Sequence, residues 1–501
     1  MRRSVYNALT RSQLSLTATI YQRHSSRSVR CFSLSAARKL TTSELQDSYL
    51  SALKCNTDRL WADIHSSAQF GTGPRYSREG VPAELSTGLS RLSLSDADLQ
   101  ARDWFAATLK AINPSIKIIS DSIGNQFAIR PGLDNELPAT FIGSHLDSQP
   151  LGGRFDGVLG VCAGIEAMRV LDENWIETRA PVGVANWCNE EGARFPRSTM
   201  GSGVWAAVLD LQQTYELKEI ESPSSRNATV FDELQRHQID RSVPAHYRDG
   251  VKVGAHFELH IEQGPILEHE KKAIGIVKGV QAYKWFEITI HGRSSHTGTT
   301  PMDRRRDPVI FASRLAIEAR RLAMKYGVLA SVGVMRASPG SVNTIADSVV
   351  MSLDARAVGD DALASYVGKV RGLISHLKKD KQSRDWQDIT CEIRETFSSP
   401  AVVFDSDAIR CVAESSRSVT GQDGRMMTSG AGHDSVNTSK HAPTAMVFVP
   451  CRHGISHHPE EWCEKEDCAR GTDVIIQSVL RFDKYKAEGD IFGRSDGRES
   501  G

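Results

Sequence analysis

Five short stretches of this 501-residue sequence carry side chains able to hold a cation or move a proton. In Gly143-Ser144-His145-Leu146-Asp147 an apolar run ends in a histidine, with a carboxylate two positions later. Alternate residues of a strand share a face, and a metal-bound imidazole commonly gives its other ring N–H to a carboxylate. Asp147 is therefore suited to orient His145, although the pair alone also reads as a surface histidine beside an aspartate. Gly152-Gly153-Arg154-Phe155-Asp156-Gly157 has the glycines of a tight turn around a site; Asp156 just before a helix also reads as a plain N-cap. Asn189-Glu190-Glu191-Gly192 sets two carboxylates side by side. They repel, which favours a solvated turn, unless a cation takes one and leaves the other as a general base. Glu258-Leu259-His260-Ile261-Glu262-Gln263-Gly264-Pro265 is too polar for an interior strand without a use for those groups. A satisfied buried histidine would account for His260 but not for Glu258, His260 and Glu262 together. The fifth stretch, Gly454-Ile455-Ser456-His457-His458-Pro459-Glu460, follows Gly430-Ala431-Gly432-His433-Asp434, and spacing does not choose among its histidines.

These stretches close apolar runs. ATFIGSHLDS from Ala139, PVGVANWCNEEGARF from Pro181, AHFELHIEQG from Ala255 and APTAMVFVP from Ala442 read as short buried strands. Between the first two, VLGVCAGIEAMRVL places Leu159, Cys162, Ile165, Met168 and Leu171 at helical spacing. Residues 115–130 alternate and turn at Gly124-Asn125, as a hairpin does. Strands alternating with helices predict an α/β fold with a mainly parallel sheet sandwiched by helices. In such sheets ligands gather at the carboxyl ends of strands. From about 282 to 397 the texture changes to the β-α-β-β-α-β order of a ferredoxin-like insert. The expected organisation is residues 1–40 outside the fold, a catalytic domain in two segments (41–281 and 398–488), an inserted domain over 282–397 and a tail over 489–501.

Lys plus Arg and Asp plus Glu number 61 each, so no global field recruits nucleic acid or an anionic membrane. No apolar run has the length needed to cross a bilayer. The nine cysteines form no CxxC pair, which points to ordinary thiols of a reducing compartment and not to a disulfide framework or a structural zinc site. The N-terminus stands apart. Arg2, Arg3, Arg11, Arg23, Arg27, Arg30, Arg38 and Lys39 precede the first acidic residue, Glu44, amid abundant Ser and Thr. That is the make-up of a mitochondrial transit peptide; the alternative is a basic tail without an address on a cytoplasmic protein.

HLD, FDG, NEEGARF, ELHIEQGPILE, SHTGTTPMD and ISHHPEE occur here in one order. In that order they resemble the amidase/hydantoinase-carbamoylase branch of the dinuclear zinc aminoacylase–carboxypeptidase superfamily, from about residue 45 to 485. Within the branch, AHFELHIEQGPILE and AIGIVKGVQAY are most similar to the fungal β-alanine synthase (β-ureidopropionase) group, with N-carbamoyl-L-amino acid hydrolases and allantoate amidohydrolases close by. The resemblance implies two divalent cations per subunit, Zn²⁺ foremost, with Mn²⁺, Co²⁺ or Ni²⁺ also suited to a His/carboxylate set. It implies that Asp156 bridges them, His145 and His260 completing one site, Glu191 and His457 the other. It further implies Glu190 as general base, Asp147 as orienter of His145 and His296 as oxyanion donor, with Gln263, Asn343, Arg356 and Gly454 binding substrate. Thr297, where many relatives have Ala, and His458, often Asn or Ser, depart from the pattern; the second leaves two adjacent histidines to choose between. The implied activity is hydrolysis of the carbamoyl C–N bond of N-carbamoyl-β-alanine, alternatively of an N-carbamoyl-L-amino acid or allantoate. The implied assembly is a homodimer through the inserted domain, which would also close over the site as a lid.

Overall fold

The structure is a computed structural model describing residues 39–76, 81–221, 225–378 and 388–489. The expected transit peptide, apart from Lys39 and Leu40, and nearly all of the expected tail lie outside these residues. Among the described residues no helix is long and apolar enough to cross a membrane.

A nine-stranded sheet organises the chain. Its centre is four parallel neighbours, in the order Thr444–Val449, Val253–Ile261, Ala139–His145 and Val182–Trp187. These are the four apolar runs of the sequence, and every residue but Gly254 is buried. Beyond them the direction reverses. Gln126–Arg130 and Lys117–Ser120 form the expected hairpin; Gln126–Arg130 runs antiparallel to Val182–Trp187, and Lys117–Ser120 runs antiparallel to Gln126–Arg130. On the other side Gly275–Val280 runs antiparallel to Thr444–Val449. The sheet is thus mixed, which corrects the mainly parallel expectation. A buried antiparallel strand reads as the same apolar run as a parallel one, so the pattern did not separate them.

Alternation sorts the central strands. Phe257, Leu259 and Ile261 enter the main core beneath the helices Val158–Glu173 and Lys465–Glu488, while His256, Glu258 and His260 take the opposite face. Burying Phe257 or Leu259 stabilises the fold by about 1.5–3 kcal/mol each, and a slip of one residue would exchange the two faces. The packing of the odd residues therefore fixes where His260 points. The second face is covered in part by Met200–Trp205, with Phe127, Phe141, Trp187 and Trp205 in contact there.

Residues 282–399 build a second sheet, antiparallel throughout, in the order Leu329–Ser331, Ser348–Ala357, Ala282–His291, Thr390–Ser399; Met335–Ser338 also pairs with Ser348–Ala357. Helices Pro308–Tyr326 and Asp360–Leu377 cover one face, around a separate apolar core that includes Phe286, Ile288, Phe311, Leu353 and Tyr366. In chain order these elements run β-α-β-β-β-α-β: the second strand of the expected β-α-β-β-α-β is divided into Leu329–Ser331 and Met335–Ser338, which pair one after the other along Ser348–Ala357.

Candidate active site

The parallel centre of the large sheet delivers its polar residues to one edge. His145 is the last residue of its strand and pairs in register with Trp187, just before Asn189-Glu190-Glu191. His260 lies one residue from the end of the next strand over, and His457 is in the segment after Thr444–Val449. Asp156 meets them from the turn that opens Val158–Glu173. It does not cap that helix: the N-cap is Gly157, in a left-handed conformation (φ +67°) and without a side-chain cap. A Cβ at Gly157 would fall on the His145 ring, so this glycine is what lets the turn approach the imidazole.

Two triads result, sharing Asp156: His145, Asp156 and His260, and Asp156, Glu191 and His457, the ligand atoms of each lying within 4.8 Å of one another. Asp156 Oδ1 is 3.0 Å from His260 Nε2 and 3.6 Å from His145 Nε2, and Oδ2 is 3.3 Å from His457 Nε2. Glu191 Oε2 is 3.3 Å from the same His457 nitrogen. Of the adjacent histidines, His457 therefore faces the site. His458 Nδ1 accepts the Glu460 backbone N–H instead.

The backbone sets the imidazole tautomers. His145 Nδ1 donates to the Asp147 carbonyl at 2.9 Å and His260 Nδ1 to the Ile261 carbonyl at 2.8 Å, leaving both Nε2 lone pairs aimed between the carboxylates. His145 Nε2 is buried without a hydrogen-bond partner among the described residues. The Asp147 carboxylate has a different task from the one expected: it accepts the backbone N–H of Glu190 (3.2 Å) and Glu191 (3.3 Å), fixing the turn that carries both.

Acid is in excess here. Burial pushes the Glu190 carboxyl well above its usual range, reinforced by Asp434, Glu191 and Asp156, and raises Glu191 to about 7, reinforced by Asp156. Burial opposes charge on His145 as well, yet Glu190, Asp156 and Asp147 hold its imidazolium well above the ordinary value. His457 rises to about 9 through its bond to Asp156. Clustered buried carboxylates with an orphaned imidazole nitrogen are uncompensated without positive charge. His/carboxylate donor sets suit divalent cations, so these residues fit the expected metals.

Glu461, the last residue of the ISHHPEE motif, has a part that sequence reasoning did not assign. Its Oε1 accepts the backbone N–H of Phe155 and of Asp156, both at 3.0 Å, and its Oε2 lies 2.9 Å from the Ser456 hydroxyl. Ser456 in turn lies 3.0 Å from Asp156 Oδ2. Gln149 Nε2, also unassigned, donates to Glu191 Oε2 at 2.8 Å. The motif pointed to Glu461; nothing in the sequence marked Gln149.

A cleft of about 190 Å³ opens over the triads, lined by Asp156, Glu190, Glu191, His260, His457, Gln263 and Arg356 among others. Gln263 donates to Asp156 Oδ2 at 2.8 Å. Arg356 is anchored by Asp354 (2.7 Å), donates to the Gly430 carbonyl (2.6 Å) and lies over the Tyr283 ring. The remaining expected substrate contacts are elsewhere. Gly454 (φ +65°) packs against the Gly264–Pro265 backbone, leaving no room for a Cβ, and does not line the cleft; its reason is conformational. His296 and Asn343 are exposed on the small pairing of Ser295–His296 with Thr344–Ile345, where His296 Nδ1 accepts the Gly298 N–H. Neither lines the cleft. Sequence order cannot say how far such a pairing stands from a site built by another sheet.

An α/β chain with paired His/carboxylate triads sharing one aspartate at the strand ends belongs to a known class of hydrolases: residues 141–481 match Peptidase family M20/M25/M40, a span that includes both triads, and the chain is a member of that family. Its place within the family is the amidase/hydantoinase-carbamoylase branch. The N-carbamoyl-L-amino-acid amidohydrolase of Rhizobium meliloti is 36% identical over 85% of this chain and 96% of its own length. The ureidoglycolate hydrolase of Arabidopsis thaliana is 28% identical over 84% and 90%. The crystal structure of a hydantoinase/carbamoylase-family amidase from Burkholderia multivorans superposes with a TM-score of 0.76 at 35% identity, covering 86% of this chain and 99% of that one.

Proposed function

We propose that the protein hydrolyses the ureido C–N bond of an N-carbamoyl-L-amino acid, releasing the free amino acid, carbon dioxide and ammonia. The observation that carries this is the pair of triads sharing Asp156, with the Glu190 carboxylate 3.6 Å from His145 Nε2 at the floor of the same cleft. The N-carbamoyl-β-alanine expected first from the motifs is not the substrate named for the relatives reported above. N-carbamoyl-L-amino acid amidohydrolases, 30–36% identical over about four-fifths of the chain, support the alternative.

His145, Asp156 and His260 would hold one divalent cation and Asp156, Glu191 and His457 a second; bound there, they would polarise the ureido carbonyl and acidify the attacking water. Glu190, held by its backbone bond to Asp147, takes the water's proton on its carboxylate and returns it to the departing nitrogen. Arg356 meets the substrate carboxylate with the part of its fork that Asp354 and Gly430 leave free. Gln263 sits at the junction of Asp156, Ser456 and His457, ready to turn its amide to substrate. His296 as oxyanion donor and Asn343 as a carboxylate ligand would act only after segment 282–397 closes over the cleft or a second copy brings them to it, so a homodimer and a moving lid are parts of the proposal. A mitochondrial address in residues 1–40 is a further part, tested by fusing them to a fluorescent reporter.

The deciding experiment measures ammonia release from N-carbamoyl-L-alanine, N-carbamoyl-β-alanine and ureidoglycolate by protein loaded in turn with Zn²⁺, Mn²⁺, Co²⁺ and Ni²⁺, with Glu190→Gln as control. Preference for the first substrate, lost in the variant, supports the reading. Preference for another ureido compound keeps the chemistry and changes the substrate. No release from any of them, at full metal content, removes the proposal.

A further inference from the structure

We infer that a second chamber beside the cleft receives the side chain of the substrate amino acid, and that Arg197 selects side chains with an apolar stem and an anionic end. The inference rests on the N-carbamoyl amino acid reading above.

The chamber, about 130 Å³, shares Ser198, Thr199, Tyr283, Gly432 and His433 with the cleft, so the two adjoin. Its remaining wall is divided: Leu209, Val402 and Val436 are apolar, while Arg197 and Lys440 are cationic. A stacked ladder links the two spaces. Arg356 lies over Tyr283 at 5.2 Å, Tyr283 stacks on Phe397 at 5.3 Å, and Arg197 lies over Phe397 at 5.4 Å. The two guanidinium groups at its ends differ in one respect. Arg356 is neutralised by Asp354 and bonded to the Gly430 carbonyl. Arg197 forms no ion pair or side-chain hydrogen bond among the described residues, and its charge is met only by the ring face.

A half-buried guanidinium on an aromatic ring keeps its donor fork open for a planar anion. The loop that carries it is fixed to the catalytic turn: Thr199 N–H donates to the Glu190 carbonyl at 2.7 Å, and Asn189 Nδ2 donates to the Arg197 carbonyl at 2.9 Å. Thr199 holds a left-handed backbone (φ +48°), a strained state for a β-branched residue that these bonds maintain. Arg197 is thereby tied in register to the proposed base, as a specificity-determining group needs to be. Leu209, Val402 and Val436 line the path of an aliphatic stem, and Lys440 adds positive charge to the same chamber. N-carbamoyl-L-glutamate has this form; N-carbamoyl-L-leucine has the stem without the anion.

The test compares kcat/KM of the metal-loaded enzyme for the N-carbamoyl derivatives of L-glutamate, L-leucine, L-alanine and L-lysine. The wild type is expected to prefer glutamate to leucine. Arg197→Gln lowers the glutamate-to-alanine ratio at least tenfold, chiefly through KM, Arg197→Lys restores part of it, and Arg197→Glu moves preference toward lysine. Phe397→Leu, which keeps the charge and removes the ring beneath it, lowers the ratio by a smaller factor and serves if the charge variants do not fold. A wild-type preference for leucine, an unchanged ratio in Arg197→Gln, or an equal loss on all four substrates overturns the assignment. Absence of ammonia from every N-carbamoyl amino acid removes instead the reading on which it rests, and with it this one.

Discussion

The edge of the large sheet and the small pairing of Ser295–His296 with Thr344–Ile345 are organised in opposite ways. At the first, every proposed metal ligand except His457 is largely buried, the imidazole tautomers are set by backbone carbonyls, and the Glu190–Glu191 turn is clamped by the Asp147 carboxylate. At the second, His296 and Asn343 are exposed, and their side-chain hydrogen bonds among the described residues are to near neighbours in sequence. On the proposed function the difference corresponds to two tasks. Holding cations requires a site assembled before the ligand arrives, because converging carboxylates repel until neutralised. Closing on a substrate requires groups that stay away until it binds.

The sharpest way to break this comparison is at the shared ligand. Asp156→Ala removes an oxygen from both triads, so ammonia release should fall by more than about 10³-fold and metal content should drop at both sites together. Loss of a single metal, measured by elemental analysis, would show that the triads are independent. His296→Ala should act on the other side of the divide: kcat falls about 10²–10³-fold, as for an oxyanion donor, while metal content and thermal stability stay at the wild-type level. A His296→Ala enzyme that loses metal would place this residue with the prebuilt region and dissolve the distinction.

A smaller effect is expected at Glu461, which touches no proposed substrate position but holds the backbone of Asp156 and faces Ser456. Glu461→Gln should weaken metal affinity about 10–100-fold, the usual cost of disturbing a ligand's support, with kcat recovered when metal is raised. Failure of excess metal to restore kcat would give Glu461 a part in the chemistry itself.

The prebuilt region was also the more legible one. His145, Asp156, Glu191, His260 and His457 each end an apolar run or open a turn beside one, and parallel neighbours necessarily bring such ends together. What escaped has a common physical origin, in that it depends on spatial relations the chain order does not encode. Strand direction at the sheet edges is set by how connections return, not by residue type, so the mixed sheet was hidden. Strand alternation puts the Asp147 side chain on the same side as His145, but the fold bonds His145 through the Asp147 carbonyl and directs the carboxylate to the Glu190–Glu191 turn. Gly454 carried a substrate-binding expectation, whereas its reason is a left-handed turn packed on Gly264. The Arg356–Tyr283–Phe397–Arg197 ladder joins residues from four parts of the chain and leaves no local pattern.

The comparison extends to acid stability. Among the described residues the four fully buried histidines, His145, His256, His260 and His433, all belong to the large-sheet region. His256 is the informative one because it is not a proposed ligand. Its Nε2 accepts the Trp187 indole N–H at 3.2 Å and its Nδ1 lies 3.3 Å from the Ser435 hydroxyl, a neutral ring in a closed pocket, and burial lowers its pKa to about 3. The unfolded chain protonates this ring near pH 6.5. Between those values the unfolded state binds the extra proton, so the stability contributed by neutral His256 is full above pH 6.5 and is lost as pH falls toward 3. At pH 5 the loss is about 2 kcal/mol. Urea unfolding of wild type and His256→Gln from pH 7 to 5, at matched metal saturation, should show the variant less stable at pH 7 but with a flatter decline. An equal decline in both would mean that His256 takes up its proton within the fold, and that the pocket beneath the large sheet is more open than its packing indicates.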